Sequence, residues 1–493
     1  MTAEVKAQET QNAEEVVVPE DPRKVSEEKS IEDVKTKEES KPKTVEKSSS
    51  YKEESNLLSD LKEFEKKALN ELKTKLEQAI LENKLFEKEE PKKKEISREY
   101  IVEEKKEEKE AAETENPVKE EAKPEEKEKK TDVGVEEKVE IDTQISLWGV
   151  PLLPSKGAEG IDVVLLKFLR AREFKVNDAF EMLKKTLKWR KESNIDSILD
   201  EDLGSDLSSA AYMNGVDREG HPVCYNVFGV FESEEIYQKT FGTEEKRSHF
   251  LRWRCQLMEK GIQKLNLKPG GVSSLLQIND LKNSPGPSKK ELRIATKQAL
   301  VILQDNYPEM VAKSIFINVP FWYYALNTLV SAFLTQRTKN NFVIARPAKV
   351  IETLINYIPI EEIPVHYGGF KRENDFEFSY QDGTVSELTI KPGLTTTIEI
   401  PAFEGLIKLL MNTMLWHLTV LGWEVSYKEE FVPTDEGSYT IIVQKGKKIS
   451  SQEGPIRNTF SNNEPGKVVL TIENISNKKK RVLYRHKIKK GKF

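Results

Sequence analysis

Ser314-Ile315-Phe316-Ile317-Asn318-Val319-Pro320 runs straight into Phe321-Trp322-Tyr323-Tyr324, and no charged residue occurs over 315–334. β-Branched and aromatic residues fill 315–319, which suits a buried strand, and Pro320 ends a strand while fitting the first turn of a helix. The helix that follows carries Phe321, Trp322, Tyr324, Ala325, Leu329, Val330, Phe333 and Leu334 around its circumference. A helix apolar on every side does not lie on a wet surface. Three readings are open. A membrane span needs about 20 predominantly apolar residues, and Asn318, Pro320, Asn327, Thr328 and Ser331 weaken that case. The others are an ordinary core helix and a lid over an apolar ligand, which composition alone does not separate.

Outward from that stretch the chain divides by composition. All six Trp of the 493 residues lie at or beyond Trp148, whereas residues 1–140 are rich in Glu, Lys, Pro and Ser. Such a segment buries too little apolar area to offset chain entropy and is expected to be disordered. The exception is 57–86, where Leu57, Leu61, Phe64, Ala68, Leu72, Leu76 and Ile80 return at helical spacing. An amphipathic helix is predicted there, docking on a partner or back on the chain itself.

From 145 to 371 strand and helix patterns alternate, as in an α/β fold. Asp162 is placed to cap a helix through Ala171, and Asn177 or Asp178 a second through Lys191. Asp217-Arg218-Glu219-Gly220 reads as a turn between two short strands. Phe250, Trp253, Leu257 and Leu265 supply the inward face of a helix over 244–265. Beyond 375 the character changes to alternating β-rich runs over 384–400, 416–427, 439–443, 467–473 and 481–487, which predicts an all-β sandwich. Residues 403–414 break that pattern and read as a short apolar helix.

Catalysis has no visible home. No nucleophile elbow, P-loop, HExxH or dinucleotide fingerprint occurs, and His221, His249, His366, His417 and His486 share no ligand spacing. No enzyme, metal or cofactor is expected. Cys224 and Cys255 are the two cysteines and show no CxxC or Cys/His spacing, which fits a reducing compartment. The first residues lack an apolar signal core, so a cytoplasmic protein is expected.

Asn306-Tyr307-Pro308-Glu309, Phe316-Ile317-Asn318-Val319-Pro320, Phe333-Leu334-Thr335 and Tyr367-Gly368-Gly369-Phe370 fall in the order found in CRAL-TRIO lipid-transfer domains. Leu165-Leu166-Lys167-Phe168-Leu169-Arg170-Ala171-Arg172 with Trp189-Arg190-Lys191 resembles that family's N-terminal helical module. Followed by a GOLD-like segment, the whole is similar to the plant patellins. The resemblance implies a disordered 1–140, a helical module over 145–200, a CRAL-TRIO lipid-binding domain over 201–371 and a GOLD-like sandwich over 375–493. It also implies a cytosolic carrier of hydrophobic ligands such as phosphoinositides, peripheral on membranes, with a role in membrane trafficking and in the cell plate during cytokinesis. The alternative is a non-transferring trafficking adaptor that recruits proteins through the GOLD-like domain and the N-terminal helix.

By that resemblance Arg172, Glu309 and Thr338 contact the headgroup, with an ion pair between the helical module and the main domain as the alternative for Arg172. Family members that transfer phosphatidylinositol carry a second basic residue after the position of Arg172 and a Lys at the position of Asn341. Here Glu173 and Asn341 stand instead. The expected lid, 321–334, covers a tunnel lined by Phe316, Ile317, Phe321, Leu326, Leu329 and Phe333.

The net charge of −6 conceals an asymmetry. Residues 444–493 hold fourteen Lys/Arg and three Glu, a balance of +11 that leaves −17 for the rest. A basic end on an acidic protein suggests an anionic partner, here a membrane surface, with a Lys-protected strand edge as the alternative. Lys445, Lys447 and Lys448 form one docking cluster, and Lys478, Lys479, Lys480 and Arg481 a second. Few aromatics accompany them and no RNA-binding motif does, so nucleic acid is not an expected partner.

Overall fold

The computed structural model describes residues 43–44, 53–86, 144–286, 288–320, 341–378, 384–401, 412–422, 424–450 and 453–490. Phe321, Leu326, Leu329, Phe333 and Thr338 lie outside that set, as does most of the apolar helix expected over 403–414.

After the two-residue strand β1 (Lys43–Thr44) comes α1 (Glu63–Leu81). Leu69, Leu72, Leu76 and Ile80 recur on one face of α1 and are all buried. A hairpin, β2 (Ser146–Leu147) with β3 (Val150–Pro151), then leads to α2 (Ile161–Ala171) and α3 (Val176–Glu192). The apolar face of α1 packs on these helices, in one core with Leu165, Leu166, Phe168 and Leu183. The amphipathic helix thus docks on its own chain, across the 57 residues of sequence that separate 86 from 144. Asp162 does not cap α2, which starts from Gly160; it sits in the first turn, paired with Lys73 of α1. There its charge still favours the positive end of the helix.

The hairpin β4 (Ala211–Val216) and β5 (Pro222–Val227) closes around the expected turn, with Gly220 at φ +91°. Then follow α4 (Glu234–Phe241), α5 (Glu244–Ile262), β6 (Leu275–Asp280), α6 (Lys290–Asn306), β7 (Val311–Ile317), β8 (Phe342–Ile344) and α7 (Val350–Leu354). The sheet order is β4-β5-β6-β7-β8, with β5 to β8 parallel. Parallel neighbours need crossovers, which α4 and α5 supply between β5 and β6, and α6 between β6 and β7. β7 ends before Pro320, because Asn318 turns the chain at φ +53° while its amide donates to Asp280 Oδ1 at 2.7 Å. Asn tolerates that left-handed backbone better than most residues.

Side chains alternate across the sheet. Val223, Tyr225, Leu276, Ile278, Ile315 and Ile317 face a core shared with α7 and Phe370.

The remaining strands are β9 (Ser386–Ile390), β10 (Thr395–Pro401), β11 (Asn412–Leu421), β12 (Glu424–Pro433), β13 (Ile441–Ser450), β14 (Ile456–Asn462), β15 (Gly466–Glu473) and β16 (Lys480–Lys490). They form two sheets, β1-β9-β16-β11-β14 and β10-β15-β12-β13, around Trp416, Tyr427, Phe431 and Leu470. The helix expected over 403–414 does not reach its end: Met414 belongs to β11, opposite Phe460 and Ile488, and is fully buried. Met414, Trp416 and Leu418 share one face at period two, a strand pattern that the apolar run before them hides.

The sandwich is fastened to the α/β domain. Val385, Leu421 and Leu483 enter the core beneath the parallel sheet. Arg457 makes a two-pronged contact with Asp375 at 2.8 and 2.9 Å and a third bond to Glu377.

Candidate functional site

The other face of the parallel sheet borders a cavity of about 930 Å³, lined among the described residues by α5, α6, the corner between α2 and α3, and residues 305–311. Phe250, Trp253, Arg254 and Met258 come from α5 at spacings of three and four, and Ala299, Leu300 and Leu303 from α6. Along β7 the cavity runs from Val311 to Phe316, about 16 Å at roughly 3.3 Å per strand residue.

The floor is polar. Asn226, Gln277, Asn279 and Ser314 occupy the cavity face of β5, β6 and β7. Asn226 Nδ2 donates to Asn279 Oδ1 at 3.0 Å, and Arg254 Nη1 donates to Asn226 Oδ1 at 2.7 Å. Parallel strands covered on both faces are usually apolar throughout, so amide side chains at alternate positions mark a surface that is not packed core. Phe316 lines the cavity. Ile317 does not: it is the next residue in a strand, points to the opposite face and lies fully buried in the core there.

Arg172 and Glu309 both line the cavity. The Arg172 guanidinium donates only to the Ala171 carbonyl, at 3.1 Å, among the described residues. The ion pair that joins helical module to main domain belongs instead to Arg190, buried on α3, which bonds Glu259 of α5 at 2.5 Å and Asp196 at 2.6 and 2.9 Å. Glu309 has a left-handed backbone, φ +51°, and its carbonyl accepts from Lys167 Nζ at 2.8 Å. Burial pushes the Lys167 ammonium down to about 8, against the pull of Glu53 and Glu309.

Glu53 extends this chain of polar contacts to the acidic lead-in. It accepts from Ser274 Oγ at 2.6 Å and lies 3.0 Å from Nε2 of His221, whose Nδ1 is 2.8 Å from Asp217. Nearby, Asn56 bonds the backbone of Gly270 and Gly271, and Arg170 donates to the Ser55 carbonyl. Segment 53–57 is therefore strapped onto the α/β domain, a contact no local pattern announces because its partners lie more than 100 residues away.

The two lysine clusters meet different fates. Lys445, Lys447 and Lys448 are exposed on β13, with Lys448 3.4 Å from Glu424. Lys448 stands opposite Ser426, and Ser426 opposite Glu473, so this cluster shares an end of the sandwich with residues 474–479. Lys478 and Lys479 are exposed there. Lys480 is buried and donates to the Gly422 carbonyl, and Arg481 forks onto Glu387 at 2.5 and 2.9 Å.

Among the described residues no three His, Cys, Asp or Glu are placed to hold a metal, and no helix is long and apolar enough to cross a membrane. A parallel sheet with one face on a core and the other on a cavity, a helical module ahead of it and a β-sandwich behind it define a CRAL-TRIO protein with a GOLD domain. Domain models agree: the CRAL/TRIO N-terminal domain matches residues 68–185, the CRAL/TRIO domain 207–369, and the Patellin-1-like C-terminal GOLD domain 391–480. Patellin-4 of Arabidopsis thaliana is 55% identical, with 99% of both chains covered. Patellin-3 of the same plant is 44% identical over 89% of this chain and 78% of its own. A phosphatidylinositol transfer protein, SFH5 of Kluyveromyces lactis, is 29% identical over 42% of this chain and 68% of its own. The chain belongs to the patellin family.

Proposed function

We propose that this chain is a lipid-binding carrier whose cavity takes a phospholipid, phosphoinositides among them, and that it docks peripherally on anionic membranes from the cytoplasm. The observation that carries this reading is the cavity of about 930 Å³ itself, apolar along α5 and α6 and polar on its floor. That volume stands at the upper end of the range for small-molecule sites, about 300–1,000 Å³. The headgroup sits at Arg172, Glu309 and Thr338, and 321–334 acts as the lid. The kinship with a protein named for phosphatidylinositol transfer supports the headgroup class, while Glu173 and Asn341 leave the inositol phosphate with fewer cations than that class usually has. The family resemblance supports a role in membrane trafficking, including the cell plate in cytokinesis. The adaptor reading loses one support, since α1 spends its apolar face on α2 and α3.

Solvent extraction of the purified full-length chain, followed by mass spectrometry, is the test. A stoichiometric phospholipid is the expected result. An empty protein from a eukaryotic host would overturn the carrier and leave the adaptor.

A further inference from the structure

Among the described residues Arg254 is a cation without a counter-charge. Its guanidinium is enclosed by protein yet retains surface facing the cavity. Among the described residues its hydrogen-bond partner is the neutral amide of Asn226, and no carboxylate pairs with it. The segment 321–340, which precedes β8, contains no Asp or Glu at all. Among the described residues four carboxylates line the cavity, but Glu173 and Asp178 belong to the α2–α3 corner and Asp305 and Glu309 to the turn before β7. Arginine cannot escape by losing its proton, and an enclosed charge left unpaired costs several kcal/mol. Asn226 is itself held by Asn279, so the guanidinium is aimed by a fixed amide and keeps unused donors toward the empty space.

We propose that Arg254 is an interior anion site, and that the cavity takes an amphiphile head-first, its carboxylate or phosphate on the guanidinium and its chains along Phe231, Phe250, Met258, Leu303 and Phe316. This rests on the carrier reading and adds a ligand class to it. It differs from the site at Arg172 and Glu309 in being enclosed by the sheet floor, where a neutral head would leave the cation unpaired. Discrimination therefore falls between anionic and neutral amphiphiles with the same chains.

The test uses the delipidated full-length chain and phosphatidylcholine vesicles that each carry one tail-labelled probe: a fatty acid, a phosphatidic acid or a diacylglycerol. The wild type should take up one or both anionic probes in preference to diacylglycerol. Arg254→Met should lose about tenfold or more of that anionic binding and bind diacylglycerol at least as well as the wild type does, while Arg254→Lys retains part of the preference. Preference for fatty acid assigns a carboxylate, and preference for phosphatidic acid a phosphate. Thermal stabilisation by inorganic phosphate equal to that by phosphatidic acid would overturn the amphiphile. Unchanged anionic preference in Arg254→Met, or uptake of diacylglycerol alone by the wild type, would overturn the interior site and leave the carrier standing. Uptake of no probe by the wild type would overturn the carrier itself. Delipidated Arg254→Met should melt no lower than the delipidated wild type, since it removes an uncompensated charge; a lower Tm in both variants would make Arg254 a structural group.

Discussion

The strap at 53–57 is held in part by the protonated His221, and this can be put to a titration. The ring lies between Asp217 and Glu53, at 2.8 and 3.0 Å, and is almost wholly shielded from solvent. Asp217 is fixed by accepting from the backbone N–H groups of Glu219 and His221 itself. Burial disfavours the imidazolium, but the two carboxylates outweigh burial and raise His221 to about 9. Burial likewise acts to raise Glu53, and the bonds from His221 and Ser274 outweigh it to hold that carboxyl low. A folded pKa above the unfolded value of about 6.5 contributes stability that is fully present below that value and is lost as pH rises through about 9. Between about pH 7 and about pH 10 the loss amounts to roughly 2.5 kcal/mol. Lys167 runs the other way, because its lowered folded pKa costs stability at neutral pH and that cost fades as pH climbs from about 8 toward its unfolded value. The reading is therefore the difference in urea-unfolding free energy between wild type and His221→Gln, in which the Lys167 contribution largely cancels. The wild-type advantage should shrink by about 2.5 kcal/mol over that span, with protease cleavage within 53–62 rising in parallel. An advantage that stays flat from neutral to alkaline pH refutes the clamp.

Leu72→Ala should destabilise the chain by about 2–5 kcal/mol in urea unfolding, because Leu72 is fully buried between α1 and the α2–α3 pair; a cost near zero would make α1 an ornament. Replacing Lys445, Lys447, Lys448, Lys478 and Lys479 by Ala should weaken sedimentation with phosphatidylserine vesicles by up to about 1 kcal/mol per residue at low salt, and less as salt rises. Lys480→Ala, by contrast, should lower Tm with little change in vesicle binding, since that ammonium is bonded inside the sandwich. Hydrogen exchange with and without liposomes should show 321–334 losing protection on membranes while β7 keeps its own; equal protection of both under both conditions would remove the lid.

The fold was legible wherever one periodicity governed one element. Strand-helix alternation from β4 to β8 and the β-rich runs after 384 both carry through to the observed sheets. Boundaries erred where a residue outside the pattern decided them: Asn318, not Pro320, ends β7. β14 escaped notice because Ile456-Arg457-Asn458-Thr459-Phe460 is polar at its centre, and Arg457 serves the junction with Asp375 instead of the sandwich core. The destination of α1 was illegible for a different reason. Its apolar stripe says that something covers it, but the cover is supplied from beyond residue 160, and a single sequence does not pair distant stripes.

The cavity follows the same logic with the sign reversed. Its apolar walls resemble any core, so Phe250 and Trp253 read as inward residues and nothing more. What distinguished the site was polarity in the wrong place: Arg254 stands one helical turn from both Phe250 and Met258 and so shares their inward face. Asn226, Gln277 and Asn279 alternate with Val, Leu, Ile and Tyr in β5 and β6, which pair in parallel. Either feature alone is an ordinary exposed charge or a strand with one wet face. Together they require a space between α5 and the sheet floor that water or ligand must fill, since neither the guanidinium nor three amides are packed against hydrocarbon without cost. The hydrophobic pattern therefore locates the layers, and the violations of that pattern locate what the layers hold apart.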